Sequence, residues 1–151
     1  MEKKIKVGRL FRSMPAGAKK NEDGTRNMSF SSDDPYERHF GYEVLDHSPG
    51  AVVMGRLLNK APLLAEHDPT KQIGVIETGS IVGAKGFVDY RFGNSALAKE
   101  YEADVDDEIR THVSVGYIVH EMELKEKAEE GPDTYLVTKW EPLEVSFVSI
   151  A

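Results

Sequence analysis

The chain has 151 residues, no cysteine, and a net charge of −7 from 26 acids against 19 bases. The length fits one domain, residues 1–151, and the 40% hydrophobic content suits a globule with its own core. Absent cysteine excludes a disulfide framework, a thiolate zinc site and a cysteine nucleophile, and the acidic balance argues against a nucleic-acid grip.

No apolar run reaches the ~18 residues that a membrane span needs. Met1-Glu-Lys-Lys-Ile-Lys6 is followed by no long apolar segment, so no secretory signal is expected. Cytosolic residence is the simplest expectation. In chain order, Ile5 to Phe11 is expected as a strand and Met14 to Gly24 as a polar, turn-rich loop. Arg26 to Ser32 alternates like a strand. Asp33-Asp34-Pro35 is a turn signal, and His39 to Leu45 alternates again. Ser48-Pro49-Gly50 breaks the pattern before a short helix over Val52 to Leu58. Ala61 to Ala65 and Gln72 to Glu77 are expected as strands on either side of an Asp68-Pro69 turn. Ser80 to Phe92 is rich in strand formers, with Gly83 and Gly86 marking bends or bulges.

One helix is clear. Asn94 and Ser95 are good caps, and Leu97, Tyr101 and Val105 recur at helical spacing as a core-facing stripe. Thr111 to Leu124 reads as a long strand and Lys125 to Asp133 as a charged loop. Thr134 to Trp140 and Leu143 to Ile150 read as the last two strands. Many strands and one good helix predict an α+β, mainly β domain built on a barrel-like sheet.

Three stretches combine an apolar strand with one reactive side chain: Ala61-Pro-Leu-Leu-Ala-Glu-His67-Asp68, His112-Val-Ser114-Val-Gly116-Tyr117, and Trp140-Glu-Pro-Leu-Glu144-Val-Ser-Phe-Val-Ser149. They supply a hydroxyl, an imidazole and a carboxylate, the components of a serine hydrolase. On a strand, Ser114, Gly116 and Ile118 share one face while Val113, Val115 and Tyr117 share the other. A serine so placed is more often a small structural residue. Gly116, two positions along, leaves space for a substrate to approach Ser114. Glu144, Ser146 and Val148 share a face, and a carboxylate in so apolar a strand needs a partner such as an imidazolium. Asp68 is a poor orienter for His67, because adjacent strand residues point to opposite faces. No His pair has metal-ligand spacing and no Gly-rich phosphate loop is present, so neither a metal nor another cofactor is expected.

The wording of these stretches resembles that of the prohead (capsid-maturation) serine proteases of tailed phages, which are distantly similar to the herpesvirus assemblins. Met28-Ser-Phe-Ser-Ser32, Phe40-Gly-Tyr-Glu-Val-Leu45 and Lys71-Gln-Ile-Gly-Val-Ile76 extend the likeness over nearly the whole chain. The resemblance implies an assemblin-like, mostly antiparallel sheet with a few peripheral helices. It implies that Ser114 is the nucleophile, His67 the general base and Glu144 the acid that orients it. Glu141 is the second choice for that acid. His112 and His120 also stand as candidates, because assemblins use a second His there. Arg91 and Arg110 are the basic residues that could assist an oxyanion hole.

The implied substrates are scaffolding protein, or the scaffolding segment of the major capsid protein, with self-cleavage and a homodimer as further implications. The place would be the host cytoplasm, inside the assembling prohead. The family usually continues beyond the position of Ser149-Ile-Ala151, so a C-terminal tail is expected to be missing. The rival readings are an inactive capsid-associated or binding domain of the same fold, and a small esterase or amidase. The latter lacks its usual Gly-x-Ser-x-Gly elbow.

Overall fold

The computed structural model describes residues 9–151, and there it has ten strands and two helices. The strands are β1 (Arg9–Pro15), β2 (Lys19–Lys20), β3 (Arg26–Ser32), β4 (Tyr36–Arg38) and β5 (Gly41–Leu45), then β6 (Pro62–Ala65), β7 (Asp68–Val82), β8 (Lys85–Phe92), β9 (His112–Glu126) and β10 (Thr134–Val148). Helix α1 spans Gly55–Leu58 and α2 spans Ala96–Asp106. All ten strands join one sheet, ordered β1-β9-β10-β6-β7-β8-β3-β2, with β4 and β5 attached beside β10. Only the pairings of β10 with β5 and β6 are parallel. The sheet curls into a half-barrel, and Ser29 N–H closes onto Ala16 O at 2.9 Å. The mainly β, α+β, barrel-like architecture expected from the sequence is the one observed.

Several boundaries differ from the expectation. The first strand runs past Phe11 to Pro15, and Ile5 to Gly8 lie outside the described residues. Asp68-Pro69 is not a turn but the start of β7, because Ala65 pairs with Asp68 and the chain reverses at Glu66-His67. Both turn residues have left-handed backbones, φ 54° and 58°, as a type I′ hairpin turn requires. The segment Ser80 to Phe92 is two strands, with a turn at Gly83-Ala84 between Val82 and Lys85. The last two expected strands are one continuous β10, whose register shifts around Val137–Trp140 and Pro142–Glu144. Proline cannot donate to a ladder, so Pro142 reads as a strand breaker although a bulge accommodates it.

The alternation expected of β9 and β10 is what builds the core. Val113, Val115, Tyr117, Val145 and Phe147 are fully buried on one face, beside Leu63 and Ala65 of β6. Helix α2 adds Ala98, Tyr101 and Val105 to that core, and Leu97 is only partly buried. The Trp140 indole is also fully buried, and its N–H donates to Asp46 O at 2.9 Å. A charged knot lies in the same interior. Glu43, with no exposed surface, accepts from Arg12 at 2.9 Å, from Arg38 at 3.3 Å and from the Tyr117 hydroxyl at 2.5 Å. Burial next to the Glu43 charge pushes the Tyr117 pKa well above the ordinary phenol value.

Candidate active site

The face of β9 and β10 opposite the core carries the reactive residues. In the antiparallel register Ser114 lies opposite Ser146, and Gly116 lies opposite Glu144. On its other side β9 meets β1, where Ser13 faces Ser114 and Phe11 faces Gly116. Ser13, Ser114 and Ser146 thus form a row of small side chains across three adjacent strands. Directly paired strand residues have Cα atoms only about 4.5–5.5 Å apart.

His67 reaches this face from the β6–β7 turn. Its backbone N–H donates to Ser146 Oγ at 3.0 Å, and its Nδ1 lies 2.5 Å from Glu144 Oε1. In the neutral ring the carboxylate selects Nδ1 as the protonated nitrogen, which leaves Nε2 with a lone pair. Nε2 is buried and without a hydrogen-bond partner. Glu144 is itself 2% exposed, and its other oxygen accepts from Ser146 Oγ at 3.0 Å. Arg9 contributes a longer contact to Oε1, 3.4 Å. The Phe11 ring packs on the imidazole at a centroid distance of 4.2 Å and is 40% exposed, so it forms part of the visible rim of the site.

The structure therefore brings His67 and Glu144 into direct contact and sets Ser114 on the same face, one strand pairing away from Ser146. Among the described residues no hydrogen bond joins Ser114 Oγ to His67 Nε2. Nucleophile-to-base contacts are often loose in unliganded sites and tighten with substrate. Glu141 is engaged elsewhere, 2.9 Å from His120 Nε2. His112 contacts its neighbour Thr111 through Nδ1 at 3.1 Å. Arg91 pairs with Glu77 on the exposed side of β8. Arg110 lies over the Tyr101 ring and bonds Asp104 and Ser149. Asp68 accepts from Thr70 N–H and Oγ.

One expectation is corrected. Gly116 does not open space for a substrate, because the Glu144 carboxylate fills that space. A Cβ at residue 116 would sit 2.4 Å from Glu144 Oε1 and 3.2 Å from Arg9 Nη2. Glycine is present so that the carboxylate can lie flat against β9 and reach His67. Sequence reasoning also missed Ser146, Phe11 and Arg9. The Glu144-Val-Ser146 alternation placed Ser146 on the right face, and nothing local marked Phe11 or Arg9.

A second Ser–His contact provides contrast. Ser31 Oγ lies 2.9 Å from His47 Nε2, while His47 Nδ1 lies 2.9 Å from Leu45 O. Ser31 has no exposed surface and Ser114 is 3% exposed, so what separates the two pairs is the orienting group: His47 Nδ1 faces a backbone carbonyl, whereas His67 Nδ1 faces a carboxylate.

The fold so assembled is that of a phage capsid assembly protease. The bacteriophage T4 capsid assembly protease superposes with a TM-score of 0.57, covering 93% of this chain and 97% of that one, at 13% sequence identity. In sequence, the chain is 47% identical over 128 residues to the major capsid protein of Halomonas phage phiHAP-1. That match covers 82% of this chain but only 21% of the phage protein, so the chain spans about a fifth of the length of that relative. No protein-family model matches.

Proposed function

We propose that the chain is a serine endopeptidase of phage prohead maturation, with Ser114 as nucleophile, His67 as general base and Glu144 as the orienting acid. One observation carries the reading. The His67 imidazole is fixed by a buried carboxylate through Nδ1, and its Nε2 is left unpartnered on the face that holds Ser114. A buried nitrogen lone pair without a donor is costly in a structural histidine and useful in a base. Ser114 Oγ attacks the scissile carbonyl carbon and its proton passes to Nε2. The amide C–N bond breaks as Nε2 returns that proton to the leaving nitrogen. Water then hydrolyses the acyl-enzyme by the same route.

The substrates under this reading are scaffolding protein or the scaffolding segment of a major capsid protein, with self-cleavage included, inside the assembling prohead in the host cytoplasm. The similarity to a major capsid protein and to a capsid assembly protease supports association with capsid components. The distant assemblin likeness, the homodimer and the single-domain organisation belong to the same proposal.

A second reading has its own support. The chain would be an inactive structural domain of a capsid polypeptide, favoured by the name of the sequence relative and by the missing Ser114–His67 hydrogen bond. Fluorophosphonate treatment followed by intact-mass spectrometry separates the two. The protease reading expects one adduct on Ser114, absent in Ser114→Ala and slowed by about 10³-fold or more in His67→Ala. No adduct at high protein concentration and mildly basic pH would favour the structural reading.

A further inference from the structure

We propose that Ser146 is a positioning residue that aims both partners of the His67–Glu144 pair. This rests on the serine-protease reading. A hydroxyl has one proton to give and lone pairs to receive. Ser146 Oγ donates to Glu144 Oε2 and accepts from the His67 backbone N–H, both at 3.0 Å, and the residue has no exposed surface.

Each contact fixes a degree of freedom the site needs. The terminal torsion of a glutamate is broad and roughly two-fold, so one oxygen must be tied down before the other can be aimed. Ser146 ties Oε2, which leaves Oε1 on Nδ1. Without it the carboxylate is free to rotate toward the Arg9 guanidinium, already 3.4 Å away on a side chain that is 46% exposed. The bond to His67 N–H acts on the backbone. His67 holds φ 58°, a conformation that side-chain-bearing residues rarely keep without support. On this turn Glu66 is held by its N–H to Phe147 O at 3.1 Å, by its carboxylate accepting from Ser149 N–H and Oγ at 2.6 Å each, and by Arg110 at 3.7 Å, while the backbone N–H of His67 is held by the Ser146 hydroxyl. Ser146 is also the direct cross-strand partner of Ser114. One hydroxyl therefore couples the base, its orienting acid and the strand position of the nucleophile.

The test compares wild type, Ser146→Ala and Ser146→Thr by two readouts. The first is the fluorophosphonate inactivation rate, split into the limiting rate and the half-saturating reagent concentration. The second is the ¹⁵N spectrum of the histidine rings, in which the His67 shifts report which nitrogen carries the proton. Removing the hydroxyl is expected to lower the limiting rate by about 10- to 100-fold, with the half-saturating concentration within about two-fold. It is also expected to move His67 from one tautomer to a mixture. Threonine, which keeps the hydroxyl, is expected to restore both. Wild-type rate and an unchanged tautomer in Ser146→Ala would overturn the proposal. If the alanine variant does not fold, Ser146→Thr and Ser146→Val decide, since they share a shape and differ in the hydroxyl. A faster Thr variant supports the role, and equal rates overturn it. If wild type itself is never labelled, the protease reading fails alone. The tautomer comparison then still decides whether Ser146 orients the pair.

Discussion

Gly116 lies directly opposite Glu144 in the β9–β10 pairing. Its missing side chain makes room for the Glu144 carboxylate, so the smallest possible enlargement should strike the site directly. In Gly116→Ala the new Cβ would lie 2.4 Å from Glu144 Oε1. The carboxylate must withdraw, and the His67 contact at 2.5 Å goes with it. A displacement of about 1 Å at a reacting group can cost 10²-fold in rate, so labelling of Ser114 should slow by about that factor. Overpacking should cost about 1–3 kcal/mol of stability, which urea denaturation would read separately. Wild-type labelling by a folded Gly116→Ala protein would mean that Glu144 does not act through His67.

At the scale of the element, the turns show where left-handed backbone is tolerated for a reason and where it is not. Glu66 and His67 keep positive φ in a turn whose backbone N–H groups bond Phe147 O and Ser146 Oγ and whose side chains bond Ser149 and Glu144. Glu108, φ 58°, has no such commitment to the site. It follows Asp107, the C-cap of α2, and its N–H donates to Val105 O at 3.2 Å while Ile109 N–H donates to Asp104 O at 2.8 Å. This is a Schellman ending, whose left-handed position glycine fills best. Glu108→Gly is expected to stabilise the protein by about 1 kcal/mol. For a domain of this size that raises the thermal midpoint by about 2–4 °C, measurable by calorimetry. Serine labelling should not change. A lowered midpoint would show that the Glu108 side chain contributes a stabilising contact larger than the backbone strain.

Across the whole molecule, buried charge sets both the stability and its dependence on pH. Glu43 holds two arginines and a tyrosine in the interior, so Glu43→Ala should leave uncompensated buried cations and cost about 3–5 kcal/mol in urea denaturation. His47 behaves differently. Burial holds its imidazole below the ordinary value of 6.5, opposed by the bond to Leu45 O. The unfolded chain therefore takes up the proton more readily than the folded one. This contribution to stability is complete at pH above 6.5 and falls away as pH drops from there toward the lower folded value. His47→Gln should flatten the part of the thermal-midpoint profile that falls away below pH 6.5. Further acidification reaches Asp106, whose carboxyl is held below 3.8 by the hydrogen bond from Arg26, so the tie between α2 and β3 should weaken only below that pH. A His47→Gln profile as steep as wild type would place the acid sensitivity in another group.

Sequence by itself determined the periodic features. Two-residue alternation assigned Val113, Val115, Tyr117, Val145 and Phe147 to one face and Ser114, Gly116, Glu144 and Ser146 to the other. Helical spacing and the Ser95 cap located α2, where the Ser95 hydroxyl does accept from Ala98 N–H at 3.1 Å. These are local properties, fixed by backbone geometry and by which side chains water rejects. Tertiary structure decided what depends on distance across the chain. His67 meets Glu144, 77 positions away, only because β6 runs parallel to the end of β10 and then turns back at Glu66-His67. Glutamate and histidine are poor sequence signals for a type I′ turn, so the sequence places the reversal two residues too late, at Asp68-Pro69. Glu144 was separated from Glu141 by register, since one meets His67 and the other His120. No local pattern reports how much room Gly116 must leave, because the atom that needs the room arrives from another strand.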